Sequence, residues 1–281
     1  MPAKRPRPTA TAVVLTALPE EYDAVRAHLV GTEEIVHPNG TRVELGRLAD
    51  ASGTVALAEL GVGALTAASL TTQIVDWLTP EAVLFVGVAG GLKDDTEIGD
   101  VVVGTKVYAI HGGKQTTDGF QARPEVWLGS HRLLQAARSA LRDMPEVRGH
   151  RKPIAVGDVV LADDRSAFAD HIRRHYNDAC AIEMEGSGAT HAAHLNGQLD
   201  ALVIRGISDL ADAGKHAADA SGSQRLAAER AALVAVGVLR KHRPRESAEY
   251  DEDPQGRYGG DHIDFRGGTF HGPVIGKRTG R

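Results

Sequence analysis

Three features of this 281-residue sequence predict an α/β protein whose central sheet is mostly parallel and covered by helices on both faces. Runs of strand length such as "TAVVLTAL", "EAVLFVGVAGG" and "DALVIRGIS" are apolar at successive positions, not only at alternate ones. That is the pattern of a strand buried on both faces. Segments such as "GALTAASLTTQIVDWL" and "SHRLLQAARSALRDM" carry apolar residues at helical spacing instead. The two kinds of segment alternate along the chain, as strand–helix–strand units do.

Taken in order, a strand over residues 11–18 leads into "PEEYDAVRAHL", a helix opened by Pro19. Glu20 and Glu21 stand in its first turn, where the helix dipole favours acids. "TRVELGRL" and "GTVALAEL" read as a pair of strands, and the helix over 63–78 stops before Pro80. Buried strands follow over 81–91 and 99–110, and then a long polar loop, "HGGKQTTDGFQARPE". The helix over 130–144 has Ser130 at its N-cap. "KPIAVGDVVLA" reads as a strand over 152–162, and "DDRSAFADHIRRHY" as a helix capped by Asp163 or Asp164. A short strand enters "CAIEMEGSGA", a helix closes at Gly197, a strand spans 200–208, and a last helix runs from about 223 to 241.

The expected organisation is a basic, proline-rich, disordered start (1–10), a globular domain (11–242), a charged linker (243–260) and a short C-terminal motif (261–281). A net charge of −5 gives no electrostatic basis for general nucleic-acid binding. One cysteine, Cys180, excludes an internal disulfide and a cysteine metal cluster. No apolar run approaches the roughly 20 residues of a membrane span, and Lys4, Arg5 and Arg7 precede only a strand-length run, unlike a signal peptide. The expectation is a cytoplasmic protein with no membrane partner. His191 and His194 share a helix face at a spacing of three, which is not the metal-binding pattern of a zinc protease. Neither a metal nor a cofactor is expected.

Ligands of open α/β sheets sit at the carboxyl ends of strands, and four such ends here carry polar or small residues. "ALPEE" offers Glu21, "VGVAGG" offers Val88, Ala89 and Gly90 for close backbone approach, and "EMEGSG" offers Glu183 and Glu185. "RGISDLAD" offers Arg205, Ser208 and Asp209. Burying an unpaired carboxylate costs several kcal/mol, so these acids meet solvent, buried partners or a ligand. One acid alone would read as a cap; four loaded strand ends read as a site.

"AIEMEGSGA", "VIRGISDLAD" and "GVAGGLKDDTEIGDVVV", with "ALPEE" in weaker support, resemble the nucleoside phosphorylase and nucleosidase superfamily over roughly residues 13–239. The nearest branch is the methylthioadenosine/S-adenosylhomocysteine nucleosidases. The resemblance implies a three-layer αβα sandwich, a homodimer, and cleavage of the bond between ribose and a purine. Such cleavage passes through an oxocarbenium-like sugar. Asp209 falls on the family's general acid, oriented by Ser208, and Glu21 on the residue that orients the attacking water. Glu185 falls on the acceptor of both ribose hydroxyls, which suits a group with two acceptor oxygens and no donor. Met184 falls on the residue that packs against the sugar. Arg205 falls beside the acid, either in the substrate site or as the partner of a buried carboxylate, and Glu183 is expected in a structural salt bridge.

The phosphate-binding arginines and serine of the phosphorylases are missing from the matching positions: "ALPEE" has no arginine, Phe85 precedes "VGVAGG", and Val88 stands at the serine-like position. Hydrolysis is therefore the expected reaction, with a phosphorylase and a silent nucleoside sensor as alternatives. Where the family places a base-stacking aromatic, this chain has Val160 and Leu161, with Phe120 or Phe168 as substitutes. The basic loop resembles that of nucleosidase-like effectors of bacterial antiviral defence, some of which remove adenine from ATP-type nucleotides. Lys114 and Arg123 would then meet a polyphosphate; the other reading is a solvated loop. "FRGGTFHGPVIGK" is similar to amyloid-type signalling motifs, which would allow further assembly through the tail.

Overall fold

The computed structural model describes residues 8–243 except 52, 118, 198, 213, 216, 217, 219 and 220. The linker beyond Arg243, the C-terminal motif, and all but the last residues of the basic start lie outside the described residues.

The chain begins with strand β1 (Ala12–Thr16), helix α1 (Pro19–Arg26) and strands β2 (Leu29–Val36), β3 (Arg42–Leu48) and β4 (Val55–Glu59). Helix α2 (Ala64–Leu78) precedes β5 (Ala82–Gly91) and β6 (Val101–Ala109). Three short strands follow, β7 (Gly113–Thr116), β8 (Gly119–Ala122) and β9 (Glu125–Leu128). Then come α3 (His131–Arg142), β10 (Gly149–Val156), α4 (Ala167–His175), β11 (Ala181–Glu183), α5 (Gly186–Leu195), β12 (Asp200–Asp209) and α6 (Ser223–Lys241).

One mixed sheet runs β11-β10-β6-β12-β5-β1-β4-β3-β2, with β9 antiparallel on β6. β1, β4, β5 and β12 are parallel neighbours, while β2 and β3 form an antiparallel edge. β11 pairs with β10 on one side and reaches β5 on the other, through Ala181 opposite Gly91 and Ile182 opposite Gly90. Strands β5, β12, β6, β10 and β11 therefore close into a ring at one end of the sheet, a closure that no local pattern in the sequence announces.

The double coverage follows from the strand sequences. On β5, Leu84 and Val86 face a core shared with Val25 of α1, Leu133 of α3 and Ala231 and Ala235 of α6. Val83 and Phe85 face the other, with Ala67, Ile74 and Leu78 of α2 and Ala189 of α5. This is the three-layer arrangement expected. Ile74 is fully buried, and Ile74→Ala there would cost about 2–5 kcal/mol through lost burial and a residual cavity. Small residues set the helix spacing: a Cβ on Gly188 of α5 would overlap the backbone of Ala64 in α2.

Several local expectations are corrected. β2 was not expected, because Gly31, at φ 62°, and a register shift between Val30 and Glu33 break its alternation. The polar loop is a β7–β8 hairpin followed by β9. β10 stops at Val156, short of residue 162, because its partner β11 ends at Glu183, opposite Val156. Helix α4 is capped by Ser166, whose Oγ accepts from Ala169 N at 3.1 Å, and not by Asp163 or Asp164. Ser130 holds the N-cap position of α3, but its hydroxyl donates to Asp200 at 2.5 Å. Among the described residues no helix is long and apolar enough to cross a membrane.

Candidate active site

A cavity of about 250 Å³ opens where β1, β5, β11 and β12 end, and Glu21, Glu185 and Asp209 all line it. Each carboxylate arrives from a different strand end.

Glu21 is the third residue of α1. Because the N-cap residue, Leu18, has no capping side chain, Glu21 Oε2 folds back and accepts from Ala17 N at 2.8 Å and Leu18 N at 3.0 Å. Its Oε1 accepts from Val88 N at 2.8 Å, which ties the end of β1 to the end of β5. Burial raises the Glu21 pKa, against the opposing pull of Arg205 and these three N–H groups.

Glu183 ends β11 and caps α5, accepting from Glu185 N at 3.2 Å and Gly186 N at 2.9 Å while pairing with Arg205. Two residues on, Glu185 points into the cavity; its Oε1 accepts from Gly63 N at 3.0 Å and its Oε2 lies 3.7 Å from Arg205 Nη2. Burial pushes the Glu185 carboxyl up to about 7, with Arg205 opposing and the neighbouring Glu183 adding to the rise.

Arg205 is the hub of these acids. It has no exposed surface, contacts Glu183, stands 3.9 Å from Glu21 Oε1, and lays its guanidinium 4.4 Å from the centre of the Phe85 ring. Its Nε and Nη1 have no hydrogen-bond partner among the described residues. Three carboxyl groups share this one guanidinium, and the raised pKa values of Glu21 and Glu185 reflect burial and, for Glu185, that crowding. The space for this cluster depends on Gly87, where a Cβ would overlap both Arg205 and Glu21.

Asp209 reaches the cavity through a β-bulge. The pairing of β12 with β5 shifts between Ile207 and Asp209, so that Ser208 is the extra residue and the next side chain is re-aimed. Ser208 Oγ donates to Asp209 Oδ2 at 3.0 Å, and Ala211 N donates to Oδ1 at 2.9 Å. Lys215 Nζ donates to Oδ2 at 2.6 Å.

Met184, Val88, Ala89, Gly90 and Val160 also line the cavity, as the sequence suggested. Other expected residues do not. Arg205 sits behind the acids with no surface on the cavity, because sequence indicates its place on β12 but not its depth. Lys114 is exposed on β7, and Arg123 lines a separate cavity with His111, Asp158 and Ser187. Phe168 stacks on His111 and Phe120 packs edge-on to His171, so neither supplies an aromatic face to the cavity. Sequence reasoning missed Leu18, Val62, Lys215 and Gln224. Leu18 stands inside the "ALPEE" motif and Val62 directly precedes the helical segment that opens at Gly63, whereas Lys215 and Gln224 carried no signal.

The comparisons with known proteins agree with this architecture. A profile of the phosphorylase superfamily matches residues 11–240. The 5′-methylthioadenosine/S-adenosylhomocysteine nucleosidase of Chromohalobacter salexigens is 29% identical over 203 residues, covering 70% of this chain and 83% of its own. The solved nucleosidase of the same kind from Neisseria meningitidis, in complex with methylthio-immucillin-A, superposes with a TM-score of 0.72 at 23% identity, over 82% of this chain and 98% of that one. Futalosine hydrolase of Helicobacter pylori gives 0.71 at 22% identity, over 81% and 96%.

Proposed function

Since the chain belongs to the phosphorylase superfamily, we propose that it hydrolyses the N-glycosidic bond of a purine nucleoside and releases adenine. The observation that carries this reading is the convergence of Glu21, Glu185 and Asp209 on one cavity. Glu185 accepts the ribose hydroxyls, and Met184 packs against the sugar. As the bond to the purine breaks, positive charge grows on the ribose, and the Glu21–Glu183–Glu185 carboxyl cluster beside the cavity stabilises it. Asp209, oriented by Ser208, delivers a proton to the purine ring. Glu21 orients the water and takes its proton as the new C–O bond forms.

Water suits this cavity better than phosphate. A dianion would face Glu21, Glu183 and Glu185, and the one cationic side chain in the described lining, Lys215, is paired with Asp209. Leu18 and Val62 support an apolar 5′ substituent, with Val62 next to Gly63, the residue that donates to Glu185. The chain is expected to act as a cytoplasmic homodimer, for which the exposed Leu65 in the first turn of α2 offers apolar surface.

The test is chromatographic detection of adenine after mixing the protein, without phosphate, with methylthioadenosine and separately with ATP. Adenine from methylthioadenosine is the expected result. Adenine and ribose triphosphate from ATP would instead support the nucleotide-depleting effector and direct attention to Lys114 and Arg123. Adenine from neither would overturn the reading.

A further inference from the structure

Lys215 is absent from the roles assigned so far, yet its ammonium is the closest partner of the general acid. Nζ lies 2.6 Å from Asp209 Oδ2, shares the cavity lining with it, and keeps 20% of its side chain exposed. The path of the chain is built to return it there. Ala211 turns the backbone at φ 53°, a left-handed conformation that is strained for a residue with a Cβ. Asp212 Oδ1 then accepts from Gly214 N at 2.8 Å, and Lys215 N donates to Asp212 O at 3.2 Å, closing the turn. The strained Ala211 is also the residue whose N–H pins Asp209 Oδ1.

Both Asp209 oxygens accept hydrogen bonds, Oδ1 from Ala211 N and Oδ2 from Ser208 Oγ and Lys215 Nζ, so a proton that reaches the purine through Asp209 comes from one of these donors. The ammonium is the adjacent donor: Ser208 has only a hydroxyl proton, and Ala211 offers an amide. We propose that Lys215 supplies, through Asp209, the proton that the departing purine receives. This rests on the nucleosidase reading above. As the C1′–N9 bond breaks, its electron pair passes to the purine, an Nζ–H proton of Lys215 moves to Asp209 Oδ2, and that carboxyl passes a proton to the ring nitrogen. Asp209 ends as the carboxylate and Lys215 as a neutral amine, which water reprotonates at its exposed face. The purine anion that forms as the bond breaks is a far stronger base than a carboxylate, and it can therefore draw the proton through Asp209. Lys215 is thus a positioning and proton-supplying residue that acts through Asp209.

The test compares Lys215→Met and Lys215→Arg with the wild type on methylthioadenosine and on p-nitrophenyl riboside, whose leaving group departs without a proton. Arginine keeps the charge and the donors but does not give up a proton in proteins. The expected result is a loss of about 100-fold or more in kcat for adenine release in both variants, with KM within about threefold. Cleavage of p-nitrophenyl riboside should be nearly unchanged. A Lys215→Arg enzyme at wild-type rate would overturn the proposal, as would equal losses on both substrates or no loss in Lys215→Met. Wild-type protein that releases no adenine from methylthioadenosine would mean that the nucleosidase reading itself has failed.

Discussion

Gly87 on β5 and Arg205 on β12 face each other across the sheet so closely that the guanidinium occupies the place of the missing Gly87 side chain. Gly87→Ala would drive its methyl group into both Arg205 and Glu21. Displacing a buried cation from three carboxylates costs about 3–5 kcal/mol when one partner is lost. The variant should therefore melt markedly lower and lose more than about 100-fold in adenine release. A Gly87→Ala protein with wild-type turnover would mean that the cluster does not hold the catalytic geometry.

Replacing Asp209 with Asn keeps the shape of the side chain and removes its ability to carry the proton. Turnover should fall by about 10²–10⁴, while calorimetric affinity for a non-cleavable adenosine analogue stays within about threefold. If affinity collapsed together with turnover, Asp209 would be a binding residue and the acid would lie elsewhere.

Glu185 makes stability depend on pH with a definite sign. Its carboxyl is raised from 4.5 to about 7 in the folded chain, chiefly by burial. Between those values the folded state holds a proton that the unfolded state has released, so stability falls as pH rises from about 4.5 to 7 and then levels. The fall is on the order of 3 kcal/mol, and Glu21, raised in the same direction, adds to it. Denaturation midpoints measured across this window should show a shallower slope in Glu185→Gln. An unchanged slope would remove Glu185 as its source.

Thr79 ends α2 in the left-handed region, at φ 45° and ψ 53°, where a β-branched side chain is crowded. Thr79→Gly relieves that conformation, less the extra entropy glycine loses on folding, and should raise stability by about 0.5–1 kcal/mol. Adenine release should not change, because Thr79 stands at the opposite end of α2 from Gly63. A fall in melting temperature would show that Thr79 has packing worth more than the strain.

Much of the layered fold was legible because its determinants are local. The doubly apolar runs became β1, β5 and β12, and Pro19 and Pro80 marked helix limits. The placement of Glu21, Glu185 and Asp209 on one cavity was legible through motif order at strand ends. What was not legible depends on contacts distant in sequence. The end of β10 is set by where β11 stops, the burial of Arg205 by three acids from two other segments, and the position of Lys215 by the φ of Ala211. The β7–β8 hairpin escaped notice because its strands have little core to face and so no alternation.

The closure of β11 onto β5 also has a consequence for the chain as it leaves the ribosome. Glu21 and β5 emerge early, but β11 and β12, which complete the ring and bring in Arg205, emerge only near the end of the domain. Until then Glu21 lacks its cation and the cavity lacks two of its walls. A nascent or prematurely terminated polypeptide therefore lacks the assembled acid cluster and its cavity until β12 has been synthesised.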